Sequence, residues 1–438
     1  MLLNQVLNQV LPSQNPLPLP DPRIIAVRNM PRPVYQLLDY EISLPGLPGV
    51  SGLNARKLAG LWGYESVSEL CDTDGPSIPA RAPRWKRTAR QQGIIAHGGH
   101  LANGGGALLP AMAQLCKARG TTLTYHTPPL PKWLTEEPRG HLAAALSAGS
   151  LELIEHPDMA SYHAARNAAR AECKELGGHH FVPQGGAWLQ AEPGVAALAR
   201  SVVNWWRTRP GGGLDVPARA PEALRGLDVV IPAGSGVTAL FLARHLDRQL
   251  GAQDPQRAVR VYAVPVNGDA DVLQRRLVAL DKALGEVGVL PRILKPPPTH
   301  AGKFGFVAAP LLGTWRRAAE AGVLLDLVYG AVAWGALEAC EWAPRDQHGH
   351  GAEAAAADVL PEVGERDCLY INTGGHSGLE AQLRRYKRAG LLRKLEISAL
   401  YGEHRWYEGQ WDVPELVRDV KSLAAKRSGL VHTRDAGL

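Results

Sequence analysis

The sequence predicts an α/β architecture. Apolar runs of four to six residues alternate with helical stretches, and glycine-rich turns join some of those runs to the helix that follows. Runs with no polar alternation mark parallel strands covered on both faces. The chain of 438 residues has room for two domains of ordinary size, with 45% hydrophobic and 21% charged residues as in a globular protein.

Taken in order, residues 1–45 are Pro-rich and weakly periodic, and read as an extended N-terminal segment. A short helix is expected from Ser51 to about Trp62, followed by an exposed Pro- and Arg-rich loop over 71–90. Strands are expected at 93–97, 121–125, 151–154 and 181–183, with a helix running to about Arg119 and Ala-rich helices later. A second series holds strands at 228–232, 259–264 and 368–372, and a low-complexity insertion lies at 346–358.

Several function classes are disfavoured. No apolar run approaches the roughly 20 residues that span a bilayer, so no membrane partner is expected. The opening Met1-Leu2-Leu3-Asn4-Gln5-Val6-Leu7 lacks a basic n-region and a small-residue cleavage site, so the expected location is intracellular, cytoplasmic or organellar, and not secreted. Five scattered cysteines without a C-x-x-C pair argue for reduced thiols. The net charge of +6 includes five basic residues within 81–90 and the cluster Arg384-Arg385-Tyr386-Lys387-Arg388. Without a recognition motif these are solvated faces, and no nucleic-acid partner is expected.

The strongest chemical signal is a strand leading through Ala233-Gly234-Ser235-Gly236-Val237-Thr238 into a helix. Glycines at a strand's carboxyl end let backbone N–H groups converge on an anion, and the helix N-terminus adds partial positive charge. The pattern is neither a Walker loop nor a complete dinucleotide fingerprint, and a tight turn without a ligand is the competing explanation. Neither Ser235 nor Ser377 sits in the G-x-S-x-G of a hydrolase elbow. His97, His100, His126 and the pair His179-His180 lack metal-ligand spacing, so no metal is expected.

Six motifs in one order then resemble the 1-aminocyclopropane-1-carboxylate deaminase/D-cysteine desulfhydrase family. They are Ser51-Gly52-x-x-Ala55-Arg56-Lys57-Leu58, Gly98-Gly99-x-x-x-Asn103, Pro183-Gln184-Gly185-Gly186-Ala187, Gly234-Ser235-Gly236-x-Thr238, Leu325-Asp326-Leu327-Val328-Tyr329 and Leu369-Tyr370-Ile371-Asn372-Thr373-Gly374-Gly375. The resemblance covers about residues 45–390. It implies a pyridoxal 5′-phosphate enzyme of the tryptophan-synthase-β type, fold type II. On that resemblance, residues 46–90 and 200–438 form a large cofactor domain, 91–199 form a smaller inserted one, and the protein is a homodimer. Gly234, Ser235, Gly236 and Thr238 would hold the cofactor's phosphate. Asn103 would bond the ring hydroxyl, Thr373 and Gly374 would lie beside the ring nitrogen, and Tyr329 would stand over a small amino-acid substrate. The implied activity is deamination or carbon–sulfur lysis of that amino acid.

The family pattern is Ser-Gly-Asn-Lys-Ala-Arg-Lys-Leu, and its first lysine carries the cofactor as a Schiff base. This chain has Leu53-Asn54 there, and an amide is neither nucleophilic nor basic at neutral pH. Ala102, Phe304 and Gly330 also replace polar residues of the family's reactive side. Three explanations compete: a non-catalytic paralogue that binds a phosphate, cofactor or amino acid; Lys57 as the substitute amine, three residues on along the same helix face; or a shift in the gene's reading. The ordinary role of the second lysine in the family is structural.

Overall fold

The computed structural model describes residues 23–27, 30, 34–38, 42–44, 47–50, 52–59, 93–97, 106–118, 120–176, 179–208, 226–250, 259–300, 304–321, 323, 325–341, 366–373 and 378–392. The strands among them are β1 (Arg23–Val27), β2 (Val34–Leu38), β3 (Ile42–Leu44), β4 (Leu47–Val50), β5 (Gly93–His97), β6 (Leu123–Thr127), β7 (Leu151–Glu155), β8 (His179–Val182), β9 (Gly226–Ala233), β10 (Val259–Pro265), β11 (Arg292–Ile293) and β12 (Arg366–Asn372). The α-helices are α1 (Gly52–Ala59), α2 (Leu108–Ala118), α3 (Lys132–Glu136), α4 (Gly140–Ser147), α5 (Met159–Leu176), α6 (Glu192–Thr208), α7 (Val237–Leu250), α8 (Ala270–Ala283), α9 (Ala309–Glu320), α10 (Gly330–Glu341) and α11 (Leu379–Arg388).

The larger sheet has six strands in the order β1-β2-β12-β9-β10-β11. From β2 to β11 the neighbours run parallel, and β1 alone is antiparallel to its neighbour. Every residue of β9 and of β12 is buried, which is why neither segment alternates in sequence. Side chains nonetheless divide with period two. Leu227, Val229 and Ile231 join Val261, Ala263, Leu369 and Ile371 in one core, together with residues of α1, α2, α6 and α7. Val230, Tyr262, Val264, Cys368 and Tyr370 join a second core on the other face, under α9, α10 and α11. Each aliphatic side chain so buried stabilises the fold by about 1.5–3 kcal/mol before entropy is counted.

The smaller sheet has four parallel strands in the order β7-β6-β5-β8, and β3 pairs with β4 in an antiparallel ribbon. In β6, Leu123, Tyr125 and Thr127 are buried while Thr124 and His126 are half-buried, so this strand keeps the alternation that β9 lacks. Helix α6 buries Val195, Leu198, Ala199, Val202, Val203 and Trp206 at spacings of three and four, and it packs against α7 and α1.

The N-terminal segment differs from the sequence expectation of a lead-in through residue 45. Residues 23–27 and 34–38 are strands of the larger sheet, and β2 lies between β1 and β12. One of the two partners of β2, β12, is far downstream in the chain, so local periodicity carries no trace of that pairing. The helix expected from Ser51 spans Gly52–Ala59. The expected loop at 71–90 and insertion at 346–358 lie outside the described residues. Among the described residues no helix is long and apolar enough to cross a membrane.

Candidate ligand cleft

Strand β9 ends at Ala233 and helix α7 begins at Val237, so three residues must turn the chain. Gly236 does this with φ of +88°, a left-handed conformation that costs glycine nothing sterically. A Cβ there would lie 3.0 Å from Leu277 Cδ2 of α8, so packing as well as backbone requires glycine. The Gly236 carbonyl then accepts the first helical bond, from Leu240 N–H at 2.9 Å. Gly234, Ser235, Gly236 and Thr238 line a cavity of about 530 Å³. Two hydroxyl-bearing residues and the positive end of α7, equivalent to about half a unit charge, thus lie at that space together.

A second wall comes from α1. Asn54 and Lys57, three residues apart on one helix face, both line the cavity and are only 8% and 5% exposed. The third wall is the turn Pro183-Gln184-Gly185, which continues into Gly186, and Gly185 and Gly186 have φ of +71° and +63°. Lys57 Nζ donates to the Gly185 carbonyl at 2.7 Å. A Cβ on Gly186 would sit 3.3 Å from Lys57 Cε, and one on Gly185 would sit 3.2 Å from Ser235 Oγ. These two glycines let the lysine and the cradle serine approach the same turn. Burial pulls the Lys57 ammonium down to about 8, because the charged form loses its water.

Tyr329 closes the cleft, with Phe304 against it edge-to-face at 5.3 Å between ring centroids. The turn carrying Tyr329 is fixed by the buried Asp326 carboxylate. It accepts from Val328 N–H at 2.8 Å and Tyr329 N–H at 2.7 Å through one oxygen, and from Gly330 N–H at 2.9 Å through the other. Burial, and secondarily the nearby Asp326, raise the Tyr329 hydroxyl well above its ordinary range. Gly330 does not line the cavity. A Cβ there would lie 2.9 Å from Leu325 Cβ and 3.1 Å from Asp326 Oδ2, so glycine at this position serves the cap. On α8, Arg276 donates to the carbonyls of Gly234 at 3.2 Å and Asn267 at 2.9 Å, which sets a guanidinium beside the cradle.

The cleft therefore gathers Asn54, Lys57, Gly234, Ser235, Gly236, Thr238, Tyr329 and Thr373 from the residues singled out in the sequence. Asn103 and Gly374 lie outside the described residues, as do Ala102 and Ser377. Arg276, Asn267 and Tyr125 line the cleft too and gave no signal in the sequence as site residues, since no local motif surrounds them. Among the described lining residues Lys57 and Arg276 are cations and none is a carboxylate. Such a wall favours an anionic ligand larger than phosphate itself. Ser235 belongs to the cradle and faces no histidine among the described lining residues. His126 Nδ1 instead lies 2.9 Å from His156 Nε2, and the described residues contain no cluster of three metal-ligating side chains.

No protein-family model matches the chain, and no curated protein matches it in sequence. Solved structures do match. A 1-aminocyclopropane-1-carboxylate (ACC) deaminase homologue superposes with a TM-score of 0.57 at 19% identity, over 88% of this chain and 98% of its own. O-ureido-L-serine synthase gives 0.52 at 14% identity, over 87% and 97%. Diaminopropionate ammonia lyase from Escherichia coli gives 0.50 at 17% identity, over 88% and 90%. With parallel sheets flanked by helices and a glycine cradle at the carboxyl end of a central strand, the chain has fold type II, the tryptophan-synthase-β architecture.

Proposed function

We propose that the protein binds pyridoxal 5′-phosphate in this cleft, together with a small amino acid, as a deaminase/desulfhydrase-like protein whose family lysine is absent. The observation that carries this reading is the composition of the wall: a glycine cradle at the N-terminus of α7, Lys57 and Arg276 as cations, and no carboxylate among the described lining residues. The residues present fit such a ligand. The glycine turn leaves no side chain at Gly234 or Gly236 to occupy the cradle, and the cavity of about 530 Å³ has room for a phosphate, a ring and a small amino acid.

In this reading Ser235 and Thr238 donate hydroxyl hydrogen bonds to phosphate oxygens, and the first N–H groups of α7 complete the cradle. Arg276, tethered to the carbonyls of Gly234 and Asn267, would add positive charge beside the phosphate. In this reading Thr373, which follows β12 and lines the cleft, would lie beside the ring nitrogen, and Tyr329, also in the lining, would stand over the amino acid and exclude water. Asn103 is assigned to the ring hydroxyl and Gly374 to the ring nitrogen on the resemblance alone, as is the homodimer. When bound, the cofactor supplies an electron sink for charge at the amino acid's α-carbon. Asn54 occupies the wall where the family has its lysine, and its amide holds a ligand by hydrogen bonding only.

The test is equilibrium binding of pyridoxal 5′-phosphate and of pyridoxal, measured side by side on the full chain. The phosphorylated form should bind at least about tenfold tighter, since hydrogen bonds to a charged group are worth about 1.5–3 kcal/mol each. Equal affinities would remove the cradle's role and with it this reading.

A further inference from the structure

We propose that Lys57 is the carbonyl-reactive amine of this cleft, so that the covalent role of the family's lysine has moved three residues along α1. The inference rests on the reading of the cleft as a pyridoxal-phosphate site, and adds where on the chain such a ligand becomes attached.

Three observations support it. First, Lys57 lines the cavity and is 5% exposed, and it is the sole lysine among the described lining residues. Second, its position is fixed: Nζ donates to the Gly185 carbonyl at 2.7 Å and lies against Gly186, where a Cβ would come within 3.5 Å of it. A neutral amine bonded this way keeps its lone pair for a carbonyl carbon. Third, the turn that holds it touches the cradle, because a Cβ on Gly185 would come within 3.2 Å of Ser235 Oγ. A phosphate on the cradle and an aldehyde near Nζ can therefore belong to one small molecule.

The chemistry of the surroundings agrees. The other titratable groups among the described lining residues are Arg276, Tyr125 and Tyr329, and none of them is a carboxylate that would hold Lys57 protonated. Desolvation brings the ammonium down to about 8, which leaves an appreciable neutral fraction near physiological pH. The step balances without any oxidant or reductant. The nitrogen attacks the aldehyde carbon, a C=N bond replaces C=O, and the oxygen leaves as water with the two protons given up by the amine. Asn54, one helical turn away, cannot take this part because its nitrogen is an amide.

Borohydride reduction of the full chain after incubation with pyridoxal 5′-phosphate, followed by peptide mass mapping, tests the proposal. In parallel, pyridoxine 5′-phosphate, which carries an alcohol in place of the aldehyde, is titrated by calorimetry. The expected result is a reduced adduct on Lys57, suppressed at least about tenfold by excess pyridoxine 5′-phosphate and absent from Lys57→Arg. An adduct confined to other lysines, or none at all while pyridoxine 5′-phosphate binds, overturns the assignment of Lys57 and leaves the cleft as a non-covalent site. If pyridoxine 5′-phosphate does not bind, the reading of the cleft itself fails, and this inference with it.

Discussion

Lys57 shows how much a single side chain's surroundings decide. Nothing in Ala55-Arg56-Lys57-Leu58 distinguishes a surface lysine from a buried one. Burial against Gly185 and Gly186 does, and those glycines lie far downstream in the chain. The same burial makes stability depend on pH. The folded value of about 8 lies below the unfolded 10.5, so below pH 8 the lysine is protonated in both states and the cost of burying its charge is fully present. Between about 8 and 10.5 the folded protein has released the proton while the unfolded chain still binds it, and stability rises with pH. The gain is about 3 kcal/mol across the window. Lys57→Met removes the titration, so the stability of the wild type relative to this variant should climb by that order between pH 8 and 10.5. Urea unfolding of both proteins across the range measures it, and a constant difference would mean that the ammonium is not buried.

At the scale of elements, the strands that were legible are those whose apolar runs are bounded by turn residues. The runs at 228–232, 259–264 and 368–372 appear in the fold as Gly226–Ala233, Val259–Pro265 and Arg366–Asn372, each longer at one or both ends. The extension of β12 brings in Arg366, whose Nε donates to the buried Asp228 Oδ1 at 2.8 Å on the adjacent strand. Charged residues at strand ends look like boundaries in sequence because only the fold supplies the partner. The strand–turn–helix at 226–250 was legible, since Gly234 and Gly236 mark the turn between the strand and the helix. Gly236→Ala should therefore act twice. Its φ of +88° disfavours any side chain, and the new methyl would meet Leu277 Cδ2 at 3.0 Å. A loss of about 1–3 kcal/mol of stability is expected, with at least about tenfold weaker binding of pyridoxal 5′-phosphate. Unaltered binding in this variant would argue that the turn does not contact the ligand.

At the scale of the whole molecule, sequence gave the fold class because α/β alternation is a local property repeated along the chain. It did not give the place of residues 23–38, whose strands join a sheet completed only by β12. Nor did it give the walls of the cleft, which bring together α1, β6, the turn after β8, the cradle after β9, α8, Tyr329 and Thr373. Two of these, Tyr125 and the Pro183–Gly185 turn, lie on or just after strands of the smaller sheet, while the cradle and Thr373 follow strands of the larger one. A ligand bound there touches both sides at once, and its binding energy is shared between them. Pyridoxal 5′-phosphate at about a hundred times its dissociation constant should stabilise the folded state by about 2.7 kcal/mol. Amides that exchange only through global opening should then slow by about a hundredfold. Hydrogen exchange with and without the ligand should reveal this slowing in β6 and β8 as well as in β9 and β12. Protection restricted to β9, β12 and α7 would place the ligand on the cradle alone, out of reach of Gly185 and the lysine it holds.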